Sequence, residues 1–356
     1  MHLNEGKVPD DYQSYLNYKV RWIIAGLLLA LILFITAISV GAVAIPPLEV
    51  IQTLAGTTTS VKWDRIVWNI RLPQALAAVI AGVGLAIAGV AMQSILRNPL
   101  ASPFTLGISS AGAFGAAVSI IFLGTGTMQS TVANPVSVSN PYLTTIVAFI
   151  FCMLATGVIL LISHVKGASP EVMVLTGVAL SSLFSAGVMF LQYFSNDAQL
   201  AAVVFWTFGD VGRATWEMLP LMTLVVGAGT LYFIANRWNY NAIDAGDETA
   251  QGLGVNVVRV RLIGMTVAAC ITAVIVAMLG VIGFVGLVCP HMVRRIIGDD
   301  QRFLIPGSAV AGAILLLASD TVARIIVAPY ILPVAVLTAF MGAPVFIFLL
   351  FRGYKR

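Results

Sequence analysis

Long apolar runs alternate with short polar stretches along most of this chain. A bilayer core about 30 Å thick is crossed by roughly 20 apolar residues in an α-helix. Helices are expected there because lipid offers no hydrogen-bond partner to an unpaired backbone group. The pattern predicts an all-α polytopic membrane protein with ten transmembrane helices, near residues 22–44, 72–95, 104–124, 142–163, 172–193, 217–236, 262–281, 284–297, 303–323 and 333–351.

Two details of the apolar runs bear on how the helices break and pack. Residues 98–165 contain no Lys, Arg, Asp or Glu, but the run is too long for one helix. The Asn-Pro pairs at 134–135 and 140–141 predict a break within it. The second predicted span carries small residues at spacings that let two helix backbones approach closely, namely Gly82, Gly84, Ala86, Ala88 and Gly89.

The number of crossings depends on whether the glycines at 280, 283 and 286 reverse the chain. If they do, 14 basic residues fall on one side and 5 on the other; if they do not, the division is 9 to 10. Cytoplasmic loops carry an excess of Lys and Arg, so the division favours the turn, ten spans and two cytoplasmic termini. The basic residues then left outside are Lys62, Arg65, Arg71, Arg213 and Arg324.

The polar segments complete the predicted organisation. Residues 1–20 form a cytoplasmic N-terminal tail that is too polar for a signal peptide, and Pro9 disfavours a long helix there. Residues 21–356 form one ten-helix membrane domain, and the polar stretch at about 237–261 is its main cytoplasmic loop.

The composition also supports a membrane protein, and it limits the chemical functions expected of the chain. Hydrophobic residues make up 59% of the sequence and charged residues 10%, where soluble domains carry about a quarter charged. Cys152, Cys270 and Cys289 lie in apolar segments without a CxxC pair, which predicts neither disulfides nor a zinc site. The sequence has no HExxH, GxSxG or GxxxxGK(S/T) motif. We therefore expect no catalytic residue, cofactor or metal in this chain, and any ATP must be bound by another chain.

Few polar groups inside the predicted spans suggest a function. Asp320 is the main ionisable candidate, since an acid at membrane depth is a functional hypothesis by default. Arg324 lies four residues further on, so a local helix pair is the favoured interpretation. Cys289 and His291 could ligate a metal, but two ligands without a third do not make a site. Pro290 between them is interpreted as a helix start.

Three segments resemble the FecCD family of ABC-importer permeases for iron chelates and cobalamin. They are IRLPQALAAVIAGVGLAIAGVAMQSILRNPLASPFTLGISSAGAFGA at Ile70–Ala116, GFVGLVCPHMVRRIIGDDQRFLIPGSAVAGAILLLASDTVAR at Gly283–Arg324, and LPVAVLTAFMGAPVFIFLL near the C-terminus. The likeness covers nearly everything from Val50 to Phe351. It implies the architecture of a type II ABC importer permease, with ten transmembrane helices per subunit.

The resemblance also implies partners and a location. A second permease copy would complete a homodimer with a translocation path along its axis, lined in relatives by span five, here residues 172–193. Two ATP-binding cassette subunits would lie beneath it, and an extracytoplasmic substrate-binding protein would dock on its outer face. Membrane lipid would surround it in the cytoplasmic membrane of the cell, and nucleic acid is not an expected partner.

In this family the loop between spans six and seven presses into the ATPase. The residues that match its pattern are Asp247, Glu248, Ala250, Gly252, Leu253 and Gly254. The physical chemistry of the loop agrees, because acids suit the first turn of a short helix and glycines can end it. The alternative is an ordinary solvated connector.

On the outer face, permeases similar to this one offer arginines to acidic residues of the binding protein. Arg71 and Arg324 match those positions, and charges at such rims mainly steer the encounter. Gln74 stands where the family commonly has a second arginine, so Lys62 or Arg65 could take its place. The alternative is that Arg71 and Arg324 snorkel to the membrane interface as anchors.

The expected function is ATP-driven import by alternating access, with an iron–siderophore complex as first cargo. Cobalamin or another corrinoid comes next, then haem or an oxyanion, since the family spans them all. An ion-coupled secondary carrier is the alternative from a different class. Its mark would be a pair of helix-breaking segments with polar residues at the bilayer midplane, and no such pair is apparent in the sequence.

Overall fold

The computed structural model describes residues 10–41, 43–57, 60–131, 134–138, 141–166, 168–327 and 330–353. Its helices are α1 (Asp10–Ser39), α2 (Pro47–Leu54), α3 (Val61–Ile66), α4 (Leu72–Ile95), α5 (Ile108–Phe122), α6 (Pro141–Val165), α7 (Pro170–Tyr193), α8 (Asp197–Thr207), α9 (Leu219–Ala235), α10 (Arg237–Asp244), α11 (Asp247–Gly252), α12 (Val257–Leu279), α13 (Val285–Ile297), α14 (Gln301–Ala323) and α15 (Val334–Gly353). A π-helical turn, Val67–Arg71, joins α3 to α4, and a 3-10 turn, Val211–Arg213, precedes α9. Two strands, β1 (Gly126–Thr131) and β2 (Asn134–Val138), lie between α5 and α6.

In the described part of the chain, ten helices overlap the ten predicted spans, namely α1, α4, α5, α6, α7, α9, α12, α13, α14 and α15. In the described part of the chain, six helices are long and apolar enough to cross a membrane alone, and a seventh results if α9 and α10, bent by 60°, count as one. The helices α5 and α15 are shorter but apolar. The chain is a multi-pass, all-α membrane protein, as predicted.

Helix α4 is the centre of the bundle and packs against α9, α12, α13 and α14. Of its most apolar window 78% is buried, against 11% for α7. An ideal Cβ built on Gly82 would lie 2.3 Å from the carbonyl oxygen of Gly312, and one on Gly89 would lie 1.8 Å from that of Gly286. Backbones this close leave no space for a side chain, which confirms the packing face predicted for the second span.

The glycine segment after α12 reverses the chain, as the distribution of basic residues predicted. Gly280 and Phe284 both have positive φ, +81° and +66°, and α13 then begins at Val285 beside the middle of α4. A Cβ on Gly298, which follows α13, would lie 3.7 Å from Lys19 Nζ in α1. The end of α13 therefore returns to the side of the bundle where α1 begins.

Pro290 does not start a helix, and that interpretation was wrong. It lies inside α13, five residues after the first. A proline inside a helix leaves the carbonyl four residues earlier without its N–H partner. Here that residue is Gly286, which lies against Gly89 of α4, so tertiary packing holds the turn that the missing hydrogen bond would otherwise have supported.

Three other segments also differ from the predictions. Helix α1 begins at Asp10, inside the predicted tail, because residues 10–21 contain no Pro or Gly to interrupt it. The break between the third and fourth spans holds the antiparallel pair β1–β2, in a segment rich in the β-branched residues that favour strands. Helix α8 lies in a predicted loop and begins with a capping box between Asn196 and Gln199.

Candidate functional site

The polar loop predicted at about 237–261 folds into two short helices at one end of the bundle, which we call the α10–α11 end. The opposite end, which carries α2 and α3, is the α2–α3 end. Helix α10 leaves α9 at a bend of 60°. Gly246 and Gly254 lie on either side of α11, with φ of +123° and +82°. Glycine adopts such positive φ values without a steric penalty.

The first anchor of this segment is a two-bond ion pair between α11 and α12. Arg261 Nη1 and Nη2 donate to the two carboxylate oxygens of Asp247 at 2.8 and 2.7 Å. Arg261 Nε donates to the carbonyl oxygen of Ile95, in the last turn of α4, at 3.0 Å. Arg97 lies 4.0 Å from the same carboxylate. One arginine thus fastens α11 to the ends of two central helices, in the paired geometry that makes such bonds strong.

The second anchor joins α10 to α4 and α14. Asp244 Oδ2 accepts from Gln301 Nε2 at 2.8 Å and from Ser94 Oγ at 3.2 Å. Asn241 Oδ1 accepts from the backbone N–H of Gln301 at 2.9 Å, and Asn241 Nδ2 donates to Asp300 Oδ1 at 3.2 Å. The start of α14 is therefore held by two polar side chains of α10, those of Asn241 and Asp244.

Asp300 is the last residue of the α13–α14 turn and the N-cap of α14. It caps α14 by accepting from the N–H of Arg302 at 3.0 Å, and its carboxylate pairs with the Arg302 guanidinium at 2.6 Å. Burial raises the pKa of Asp300, but hydrogen bonds from Arg302 and Asn241 and the charge of Arg302 outweigh that effect and hold the pKa below its ordinary value. Asp300 is therefore ionised at neutral pH.

The coupling segment, which we define as residues 237–254, has one buried face and one exposed face. Tyr240 and Ile243 of α10 and Ala250 of α11 are buried against the bundle. On the other face Trp238 is 57% exposed and Leu253 is 71% exposed. A short, anchored projection with large apolar side chains on its surface can press on a partner without folding away.

The structure brings all six predicted coupling residues together but divides them between the two faces. Asp247 and Ala250 face the bundle, whereas Glu248, Gly252, Leu253 and Gly254 are exposed. Their role toward an ATPase stays a prediction. Sequence reasoning missed the residues that fasten the segment, namely Ser94, Asn241, Asp244, Arg261 and Gln301. The available signal was that each is polar and lies near the predicted inner end of a span.

At the α2–α3 end, Arg71 and Arg324 are both buried and close the C-terminus of α1. Arg71 Nη1 donates to the carbonyls of Ile38 and Ser39 at 2.6 and 2.8 Å. Arg324 donates to those of Ala37 and Val40 at 2.9 and 3.0 Å. The last carbonyls of a helix have no partner within the helix, so the two arginines satisfy them and oppose the negative end of the helix dipole.

Asp320 takes part in the same arrangement. Its carboxylate lies 2.9 Å from Arg324 Nη2, four residues away on α14, so the predicted local pair is present. Gln74 of α4 donates to the other carboxylate oxygen at 2.9 Å. Gln74 thus has a structural partner in this chain. Docking of a binding protein at Arg71 and Arg324 stays a prediction, while the nearby Lys62 and Arg65 are exposed.

Two non-helical segments meet beside α4, which the sequence analysis did not foresee. Residues 98–107 lead into α5 and residues 280–284 lead into α13, and they enclose a cavity of about 10 Å³. Hydroxyls of Ser102, Ser109 and Thr272 line it. A space of this size holds about one water molecule, so it offers no room for a transported chelate. None of the described lining residues is ionisable.

Comparison with known proteins places this geometry among transport permeases. The model of the FecCD transport family matches residues 28–352. A Methanocaldococcus jannaschii protein named as an ABC transporter permease is 51% identical over 352 residues, covering 98% of this chain and 99% of the relative. The hemin transport system permease protein of Yersinia pestis is 36% identical over 330 residues, covering 93% and 95%. A solved metal-chelate type ABC transporter in an inward-facing conformation gives a TM-score of 0.79 at 29% identity, covering 95% of this chain and 100% of that chain.

Proposed function

Because this chain belongs to the FecCD transport family, we propose that it is the membrane-spanning subunit of an ATP-driven importer for an iron–siderophore complex or a related metal chelate. The chain is a transport permease and not an enzyme. The observation that carries the proposal is the pair of anchors that tie the exposed coupling segment to α4, α12 and α14. Hydrolysis of ATP takes place in two separate ATP-binding subunits, since this sequence has no phosphate-binding loop.

The anchors suggest how work done by an ATPase would reach the membrane. A partner pressing on Glu248 and Leu253 would move α11 and, through the Asp247–Arg261 pair, the ends of α12 and α4. The bonds of Asp244 would move the start of α14 at the same time. Packed helices move as rigid elements between discrete arrangements, so displacement at the coupling segment would change access to the translocation path.

The proposed orientation puts the α10–α11 end in the cytoplasm. The division of 14 basic residues to 5 supports this, because Lys and Arg accumulate on the cytoplasmic side. Arg97, Arg259, Arg261, Arg294 and Arg302 belong to that end. Both termini would then be cytoplasmic, and the α2–α3 end would face the exterior.

A second copy of the chain would complete the path in a homodimer. Helix α7 is the least buried of the long apolar helices, with Leu175 73% and Leu183 64% exposed. Lipid could cover such a surface equally well, so the support for the dimer is the family resemblance. In relatives of this kind span five lines the path, which is α7 here. An apolar wall with few polar groups suits a bulky chelate that must bind weakly and leave.

An extracytoplasmic binding protein would deliver the cargo at the α2–α3 end. Arg71 and Arg324 match the family's docking positions but are buried, and the exposed Lys62 and Arg65 carry positive charge at the same end of the bundle. Steering by such charges weakens with salt. Reversing charge at Arg65 should slow capture of the binding protein at low salt and have little effect at high salt. Equal capture rates at low salt would remove Arg65 from the docking surface.

We rank the expected cargo molecules with an iron–siderophore complex first, cobalamin or another corrinoid second, and haem third. The hemin permease of Yersinia pestis is 36% identical, which keeps haem in the set. Iron uptake and cobalamin uptake into vesicles that contain the binding protein can be compared directly with isotopically labelled cargo. The chelate that stimulates ATP hydrolysis most strongly would identify the cargo.

Reconstitution separates this proposal from an ion-coupled carrier. The purified chain would be placed in vesicles with or without the ATPase subunits, and uptake would be measured with ATP or with an imposed proton or sodium gradient. We expect uptake only when both the ATPase and ATP are present. Gradient-driven uptake by the chain alone would overturn the proposal in favour of the carrier.

A further inference from the structure

A cavity of about 380 Å³ opens at the α10–α11 end, between the end of α9, helix α10 and the start of α12. Its lining includes Asn239 and Gly254 of the coupling segment but none of the residues that form the two anchors. Its volume lies in the range of small-molecule sites. Its polar lining includes Asn236, Asn239, Asn256 and Arg259. The cavity therefore lies at the root of the coupling segment, where α10 leaves α9.

The polar side of this cavity suits an anion with several oxygens. Arg259 is exposed and has no salt bridge with any residue that the structure describes. Asn256 Oδ1 accepts from the N–H of Arg259 at 3.0 Å, which leaves the Asn256 amide nitrogen as a donor. Asn239 donates to Asn236 at 3.0 Å. None of the described lining residues is acidic, and the N-terminus of the long helix α12 adds positive potential.

The other side of the cavity is apolar and continues along the membrane-spanning helices. Tyr232 of α9 and Val260 and Ile263 of α12 line it. Ile263 is 40% exposed, so this side is open to the surroundings of the bundle. Polar donors at the helix ends and an apolar wall directly above them match a molecule with an anionic head and a hydrocarbon tail. A free phosphate ion would use only the polar half.

We propose that this cavity binds the phosphate headgroup of an anionic phospholipid, with Arg259 as the main contact and an acyl chain along Ile263. Basic pockets between helices at a membrane surface are typical sites for such headgroups. The lipid would brace the junction of α9, α10 and α12, and it would do so from within the bilayer. The inference needs a membrane-embedded chain but does not need the proposed cargo or ATPase.

The test uses the purified full chain in detergent after removal of lipid. Native mass spectrometry would count bound phosphatidylglycerol and phosphatidylcholine during titration. Arg259→Gln is compared with Lys166→Gln, which removes an exposed charge at the same end of the bundle but outside the cavity. Loss of one charge-assisted contact should weaken phosphatidylglycerol binding about tenfold, and the Lys166 variant should bind like the native chain.

A second variant distinguishes lipid from free phosphate. Ile263→Ser removes the apolar wall and should weaken phosphatidylglycerol binding while leaving any binding of inorganic phosphate unchanged. Equal phosphatidylglycerol binding by the native chain and Arg259→Gln would overturn the proposal. Two other results would also overturn the proposal. One is that inorganic phosphate binds and is not displaced by lipid, and the other is that added ATPase subunits displace phosphatidylglycerol. In either case the cavity would serve another ligand. Failure in the arms that use the chain alone leaves the coupling proposal standing.

Discussion

Replacing Asp247 by alanine removes the carboxylate that holds Arg261, and the cost can be estimated from the geometry. Removing one partner of a buried ion pair costs about 3–5 kcal/mol. The Arg261 side chain is 4% exposed but that of Asp247 is 34% exposed. Arg261 also keeps its bond to Ile95. Solvent and this bond relieve part of the penalty, so we expect about 2 kcal/mol.

A loss of about 2 kcal/mol corresponds to roughly a 30-fold rise in the open population of α11. Amide hydrogen exchange reports such local opening, so the amides of α11 should exchange about 30-fold faster in the Asp247→Ala chain. Glu248→Ala is the matched control, because it removes the same charge from the same first turn, and Glu248 forms no ion pair with any residue that the structure describes. It should change the free energy of opening by less than about 0.5 kcal/mol.

The same two variants test the transmission of work. In vesicles with the ATPase and the binding protein, Asp247→Ala should reduce uptake per ATP hydrolysed, because a loosened α11 absorbs motion that the native anchor passes on. Glu248 lies on the exposed face of α11, so Glu248→Ala should leave the amide hydrogen exchange of α11 unchanged even if it weakens the contact with the ATPase. Equal exchange of α11 in the two variants would refute the view that the Asp247–Arg261 pair fastens the segment.

Two further predictions concern stability. Gly89→Ala should prevent native packing, since its Cβ would lie 1.8 Å from the carbonyl oxygen of Gly286. At Gly157 an added Cβ would meet no described atom within 4 Å beyond its neighbours and the nearby backbone of its own helix, so Gly157→Ala should leave the yield of folded protein unchanged. Equal yields for the two variants would contradict the close approach. Asp300→Asn should lower the unfolding temperature at pH 7, where the native carboxylate is ionised and paired with Arg302. Because the pKa of Asp300 is lowered in the fold, this stabilisation is present above the ordinary value of about 4 and is lost as the pH falls through the lowered pKa. The difference between the native and Asp300→Asn chains should therefore shrink as the pH is lowered below about 4, and a difference that stays constant throughout acidification would count against the ion pair.

The positions of the spans could be predicted because the hydropathy of a segment indicates directly whether it lies in lipid or in water. The reversal at Gly280 could be predicted from charge, since each loop must lie on one side or the other. Backbone detail within the spans was not accessible in the same way. Pro290 lies inside a helix because Gly286 packs on Gly89, and that contact joins residues almost two hundred positions apart.

The candidate site shows the same division. The acids and glycines of α11 could be placed from local rules, because caps and helix ends depend on neighbouring residues. The anchors could not, since Arg261 meets Ile95 and Gln301 meets Ser94 only after the bundle has formed. Likewise, no local pattern indicates that Arg71 and Arg324 close the end of α1. Their partners are backbone carbonyls, which every sequence possesses.

The glycine contacts of α4 also limit how the protein can change shape. Where Gly82 meets Gly312 and Gly89 meets Gly286, backbone touches backbone with no flexible side chain between them to take up a shift. Sliding at these points would bring backbone atoms into steric clash, so α4, α13 and α14 form a rigid unit. Opening and closing of the protein therefore requires α4, α13 and α14 to move together as one body relative to the outer helices.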